Sequence, residues 1–174
     1  MTYSPFHDII QDRSHEYMAL CIEIAKQTPS FVHRPYVGTI ILDAQERIVG
    51  EGYKQFVPER NEIKHAERAA LDIAGECAQG ALLFTTLEPC MRPHRRYEFM
   101  SSADYIIKSG IDTVVFGFLD NSTKMSHYDT ASYLERNGVI VIQFTPLNKR
   151  IQDELMRPDC RDDWPMSKQT PLTV

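Results

Sequence analysis

The second half of the chain alternates short apolar or β-branched runs with segments of helical spacing, and this alternation constrains the fold more than any other feature. Ala81-Leu82-Leu83-Phe84-Thr85-Thr86 is apolar enough for a strand buried on both faces. Residues 101–109 can form a helix closed by Gly110, and Thr113-Val114-Val115-Phe116-Gly117 is again β-branched. Ser126 can cap a further helix that ends at Asn137-Gly138, just before Val139-Ile140-Val141-Ile142. Strands joined through helices pair in parallel, because the helix carries the chain back to the same edge of the sheet.

The first half adds antiparallel structure. Met18, Cys21, Ile22 and Ala25 recur at helical spacing within residues 14–27, and Thr28-Pro29 stops the pattern. Apolar runs at 37–42 and 48–56 flank Asp43-Ala44-Gln45-Glu46-Arg47 and predict a hairpin. After a polar connection through 57–61, helical spacing resumes with Ala66, Ala69, Ala70 and Ile73, whose small side chains would let the helix lie close to a sheet. Gly75 and Gly80 bracket its exit, and residues 147–156 can add a last helix. The expected architecture is α/β: a mixed sheet of about five strands covered by helices. One domain is expected over 12–156, followed by an extended or disordered tail at 157–174 that contains Pro158, Pro165 and Pro171.

Composition narrows the function classes. With 174 residues, 43% hydrophobic and 25% charged, the chain can bury one full core. A net charge of -5 argues against coating nucleic acid electrostatically. The cysteines Cys21, Cys77, Cys90 and Cys160 are scattered and come with no secretory leader, so a disulfide framework is not expected and a reducing cytoplasm is. No stretch approaches the length of a membrane span.

Two short motifs carry chemistry. In His65-Ala66-Glu67 a potential metal ligand stands two residues before a potential proton carrier, and Thr86-Leu87-Glu88-Pro89-Cys90 brings a thiolate from a separate segment. At the start of a helix, the positive end of the backbone dipole favours a thiolate and other anions. Catalytic zinc needs about three protein ligands and one open position for water, and Glu67 would move protons without touching the metal. The usual partner of Cys90 would be a second cysteine at position 93, which is Pro93.

On these residues the chain resembles the zinc-dependent cytidine and deoxycytidylate deaminase superfamily, over about residues 16–154. Pro35-Tyr36-Val37-Gly38-Thr39-Ile40-Ile41, followed by Gly50-Glu51-Gly52-Tyr53, looks like the hairpin that enters that three-layer fold. Gly117-Phe118-Leu119-Asp120-Asn121, with Asn137-Gly138-Val139 after the next helix, is most similar to the pyrimidine deaminase branch of riboflavin biosynthesis. The resemblance implies a Zn2+-dependent hydrolase that releases ammonia from a pyrimidine-type base, nucleoside or nucleotide. It also implies a homo-oligomer. Two alternatives stay open: a deaminase-fold binding or interaction module without catalysis, and a deaminase of bases within nucleic acid.

The third zinc ligand is where the chain departs from the family. In the riboflavin branch the second cysteine opens the helix that ends at the next glycine, and counting back from Gly110 puts Ser102 at that place. Serine is a poor zinc ligand. The expected substitute is His94, giving a site of His65, Cys90, His94 and water; a water between Ser102 and the metal is the other option. Arg92 and Arg95, with Arg96, lie in the same loop and could clamp a substrate phosphate, or form a solvated basic loop. Arg34 stands where the riboflavin-type enzymes carry asparagine and is a candidate substrate contact. Tyr97 and Phe99 could stack on a base, and Lys124 could face the same cavity.

Overall fold

A computed structural model of the chain describes residues 4–91, 100–119 and 129–156. Helix α1 (His7–Ala25) leads into an antiparallel hairpin of β1 (Gly38–Leu42) and β2 (Ile48–Tyr53). The chain then runs through β3 (Gln55–Val57) and β4 (Glu62–Lys64), α2 (Ala66–Ala74), β5 (Leu82–Leu87), α3 (Ser102–Lys108), β6 (Thr113–Phe118), α4 (Thr130–Arg136), β7 (Ile140–Gln143) and α5 (Asn148–Ile151). A single π-type turn over Gln152–Met156 extends α5.

The main sheet has the order β2-β1-β5-β6-β7. β1 is antiparallel to both β2 and β5, whereas β5-β6 and β6-β7 are parallel. This is the mixed five-stranded sheet that the alternation of runs predicts. Side chains alternate across it and build two cores. Ile40, Leu42, Leu82, Phe84 and Val115 meet Met18, Cys21 and Ile22 of α1 and Ile151 of α5 on one face. Ile41, Leu83 and Val114 meet Ala70, Leu71, Ile106 and Leu134 of α2, α3 and α4 on the other. The result is three layers, because every central strand is apolar on both faces and each face needs a helical cover.

Several boundaries differ from those read in the sequence. α1 starts at His7, earlier than residue 14, because Phe6, Ile9 and Ile10 also pack on the first core. The run read as one strand over 48–56 divides into β2 and β3, and the connection read at 57–61 holds the end of β3 and a turn at Pro58–Arg60, after which β4 pairs antiparallel with β3. These two strands are too short to show a period. α4 is capped by Asp129, whose side chain accepts from the Ser132 amide; Ser126 lies outside the described residues, as does the tail from 157. Among the described residues no helix is long and apolar enough to cross a membrane.

Three glycines set how tightly the layers approach. Gly50 and Gly52 lie on the face of β2 that meets α2. A Cβ on Gly52 would fall 2.4 Å from the Ala66 carbonyl oxygen and 2.6 Å from the Ala70 nitrogen, and one on Gly50 would fall 2.3 Å from the Ala70 carbonyl oxygen. On the opposite face, a Cβ on Gly38 would meet the Cys21 carbonyl oxygen at 2.0 Å. The obstacles are helix backbone, which cannot rotate away. Gly52→Ala is therefore expected to push α2 off the sheet and to destabilise the fold by about 1–3 kcal/mol, the usual cost of overpacking a filled interior. Chemical denaturation of the variant beside Gly75→Ala would check this, since Gly75 has open space around it but a positive φ of 54°. A smaller loss in Gly52→Ala than in Gly75→Ala would contradict the packing argument.

Candidate active site

Three chain segments converge at the C-terminal end of β5, the side of a parallel array where crevices form. The first is the start of α2. His65 is its N-cap, with extended backbone, and Glu67 lies in the first turn. The second is the segment after β5, where Glu88 N–H donates to the Phe118 carbonyl and carries the chain across to the end of β6. The third is the start of α3. Ala103 N–H donates to the Cys90 carbonyl at 3.1 Å, so that Cys90 and Ser102 are fixed relative to each other by backbone.

The start of α3 is itself held firmly. Ser101 and Asp104 form a reciprocal capping box, with the Ser101 side chain accepting from the Asp104 amide and Asp104 accepting from the Ser101 amide. The Tyr133 hydroxyl of α4 donates to Asp104 at 2.7 Å. These bonds hold the Asp104 carboxyl below the usual carboxylate range despite its partial burial. Ser102, the first residue of the helix, therefore has a defined direction.

His65, Cys90 and Ser102 come together around one point. His65 Nδ1 lies 3.2 Å from Ser102 Oγ and 3.4 Å from Cys90 Sγ, and the sulfur lies 3.7 Å from the same hydroxyl. Ser102 Oγ also donates to Glu67 Oε2 at 3.3 Å. Glu67 is 3% exposed. Burial pushes its carboxyl pKa up, and the Cys90 charge raises it further; His65, the Glu67 amide and the Ser102 hydroxyl pull the other way. A carboxyl raised by burial suits a group that must take up and release a proton.

The cluster offers two of the donors that zinc favours, an imidazole and a thiol. Imidazole nitrogen, sulfur and hydroxyl oxygen surround one point, and the buried carboxylate stands beside the set. Zinc there would be held by His65 and Cys90 with a further donor. Among the described residues no group of three or more His, Cys, Asp and Glu side chains could hold a metal.

The remaining sequence candidates divide in two. Arg34 is described: its Nη1 donates to the Glu154 carbonyl at 2.9 Å, and its guanidinium lies 4.4 Å from the centre of the Tyr36 ring. It joins the end of the last described helix to the segment before β1. His94, Arg92, Arg95, Arg96, Tyr97, Phe99 and Lys124 lie outside the described residues. Cys21 is core, donating to the Phe84 carbonyl, and Cys77 is exposed. Lys54 escaped the sequence reading. Its Nζ donates to the His33 and Pro35 carbonyls at 2.6 and 3.3 Å; burial lowers its pKa, and the Glu67 charge opposes that. A lysine inside the apolar run at 48–56 was the signal, and it is a weak one.

Comparison with known proteins places these elements in context. The family described as "Cytidine and deoxycytidylate deaminase zinc-binding region" matches residues 11–118. The chain is 39% identical over 119 residues to riboflavin biosynthesis protein RibD of Aquifex aeolicus, an alignment covering 68% of this chain and 31% of that one. It is 35% identical over 126 residues to a diaminohydroxyphosphoribosylamino-pyrimidine deaminase of Buchnera aphidicola, covering 72% and 80%. Among solved structures, RibD of Acinetobacter baumannii superposes with a TM-score of 0.65 at 27% identity, over 80% of this chain and 36% of that one. A diaminohydroxyphosphoribosylaminopyrimidine deaminase and 5-amino-6-(5-phosphoribosylamino)uracil reductase of Thermotoga maritima gives 0.64 at 29%, over 80% and 38%. The chain thus spans about a third of the RibD-type relatives it matches.

Glu67 generates a stability prediction for metal-stripped protein. A carboxyl whose folded pKa is raised costs nothing below about pH 4, where it is neutral in both states, and destabilises the fold increasingly as pH rises through the folded value. Glu67→Gln removes that cost and keeps the shape. In excess chelator the variant should melt at the same temperature as the parent near pH 4, and above it at pH 8. Thermal melts across that range test this, and a gap that narrows with rising pH would contradict it.

Proposed function

Because the chain belongs to the cytidine and deoxycytidylate deaminase zinc-binding family, we propose that it is a zinc-dependent hydrolase that replaces an exocyclic amine of a pyrimidine-type ring with oxygen and releases ammonia. The observation that carries this reading is the burial of the Glu67 carboxyl beside the His65, Cys90 and Ser102 cluster. A carboxyl sealed in such a place costs stability, and proton transfer is what gives that cost a purpose. The relatives named for diaminohydroxyphosphoribosylamino-pyrimidine deamination make a phosphoribosylated diaminopyrimidine the first substrate to try.

Zinc, when bound by His65 and Cys90, supplies Lewis acidity that brings the pKa of water down to about 7. Glu67 takes the first proton as water oxygen bonds to the amine-bearing ring carbon, and delivers it to the neighbouring ring nitrogen. It then carries the water's second proton to the amine. The carbon-nitrogen bond breaks, ammonia leaves and a ring carbonyl remains, so water supplies the oxygen and both protons are accounted for. Ser102 orients Glu67 by its hydrogen bond, and Lys54 places a positive charge near the same carboxylate. Arg92 and Arg95, in the sequence between Cys90 and α3, would serve a substrate phosphate.

A second reading, a deaminase-fold module that binds without turnover, draws on the serine at the third corner of the cluster. Ammonia release separates the two. Zinc-loaded protein should release ammonia from at least one member of a panel of pyrimidine bases, nucleosides, nucleotides and phosphoribosylated diaminopyrimidines. Glu67→Ala should lose roughly 100- to 10,000-fold in rate, the range attached to a positioned acid-base group. Folded, zinc-loaded protein that releases no ammonia from any of them would leave the binding module as the better reading.

A further inference from the structure

One buried carboxylate has no part in the proton transfer. Glu62 opens β4, three residues before His65, and is enclosed. Its Oε1 lies 3.9 Å from Arg68 Nη1 and 3.8 Å from Arg60 Nη1; the Arg68 side chain is 17% exposed and the Arg60 side chain 55%. Arg68 therefore supplies the less screened attraction, because solvent access weakens a charge pair. It is the residue directly after Glu67.

We propose that Arg68 is a positioning residue: through Glu62 and Tyr105 it sets where α2 begins relative to α3, and so where His65 stands relative to Cys90. The inference rests on the deaminase reading and concerns residues outside the cluster.

The corner between β4 and α2 needs such a tie. A helix start is ordinarily fixed by a Ser, Thr, Asp or Asn side chain that accepts from the first free amides. Here the N-cap is His65, whose side chain makes no capping bond and faces Cys90 and Ser102 instead. The position that would anchor the helix holds a residue with another task. The pair of Glu62 and Arg68 spans this corner from both sides, with His65 and Glu67 inside the closed stretch. A second pair repeats the arrangement: Lys64 Nζ lies 2.6 Å from Asp72 Oδ2. Glu62 and Lys64 are two apart on a strand and Arg68 and Asp72 four apart on a helix, spacings that put each couple on one face of its element. The signs alternate, so a slipped register would set like charges against each other.

Both α2 side chains also reach α3. The Arg68 guanidinium lies 5.5 Å from the centre of the Tyr105 ring, within the range of cation-π attraction, and the Tyr105 hydroxyl donates to Asp72 Oδ1 at 3.3 Å. Tyr105 stands three residues after Ser102. The helix that follows Cys90 is thus tied to the helix that carries Glu67.

The test uses the full chain in three variants beside the parent. Arg68→Met removes the tie and leaves Glu62 facing Arg60. Glu62→Gln combined with Arg68→Met removes both charges, which relieves the buried carboxylate without restoring the tie. Lys149→Met breaks the exposed pair with Asp153 beyond α5, on the opposite layer, and is the control. Melting temperature reports the fold. The kcat and KM for the best substrate of the ammonia panel report the chemistry, and the 1H-15N signals of the His65 ring in chelator-stripped protein report its placement without metal or turnover. The double variant should melt with the parent yet keep a kcat lowered at least about tenfold, with KM within about threefold, since a misplacement of about 1 Å can cost roughly a hundredfold in rate. Its His65 signals should be displaced from the parent's, as in Arg68→Met, and Lys149→Met should match the parent throughout. A double variant that regains the parent's kcat and His65 signals along with its melting temperature would make Arg68 a structural residue only. A double variant that stays unfolded, or equal losses in Lys149→Met, would overturn the proposal too. A parent chain that releases no ammonia would overturn the deaminase reading alone, and the His65 signals would still decide whether Arg68 places that ring.

Discussion

The close approach of α2 to β2 determines where the chemistry can be. Gly50 and Gly52 present bare backbone to the helix, and the Ala66 and Ala70 main chain fills the space that side chains would occupy. Alanines at 66, 69 and 70 answer from the helix side. Because Ala66 lies between His65 and Glu67, the contact that packs the helix also fixes the two residues flanking it. A bulkier strand would move both away from Cys90, which arrives on β5 two strands across the sheet.

Electrostatics follow from that packing. Glu67 is enclosed by helix and sheet, so its charge is poorly solvated, and its surroundings moderate this only in part. Burial and Cys90 oppose the ionised form of Glu67, while the His65 ring and the Ser102 hydroxyl favour it, and the Glu67 charge in turn acts on Lys54. The Lys54 amine is held by the His33 and Pro35 carbonyls on the segment that enters β1. The polarity of the site therefore draws on four separate stretches of chain. Such an arrangement costs the fold something, and natural active sites commonly carry such costs.

Much of this was legible in the sequence. The parallel strands β5, β6 and β7 announce themselves because a continuous β-branched run suits a strand covered on both faces better than it suits a helix or a loop. The His65-Ala66-Glu67 and Pro89-Cys90 segments stand out because metal ligation and proton transfer need particular side chains at particular boundaries, and the structure sets His65 beside Cys90. β3 and β4 were missed because three-residue strands carry no period, and the early start of α1 because Phe6 packs from just outside the helical repeat. The third corner of the cluster was harder. Residue type argued against serine, and only the geometry of the α3 start, with Ser101 and Asp104 locking the first turn, shows how its hydroxyl meets His65 and Cys90.

The identity of that corner also bears on oxidation. Where two thiolates share an ion, loss of the metal leaves two sulfurs within reach of each other, and a mild oxidant can close them into a disulfide that blocks reloading. Here Cys90 faces nitrogen and oxygen, while Cys21 is sealed in the opposite layer and Cys77 is exposed at the far end of α2. Among the described residues, no second cysteine stands beside Cys90 with which it could cross-link. A cysteine with no thiol beside it among the described residues is open to stepwise oxygenation, which is reversible only at the sulfenic stage.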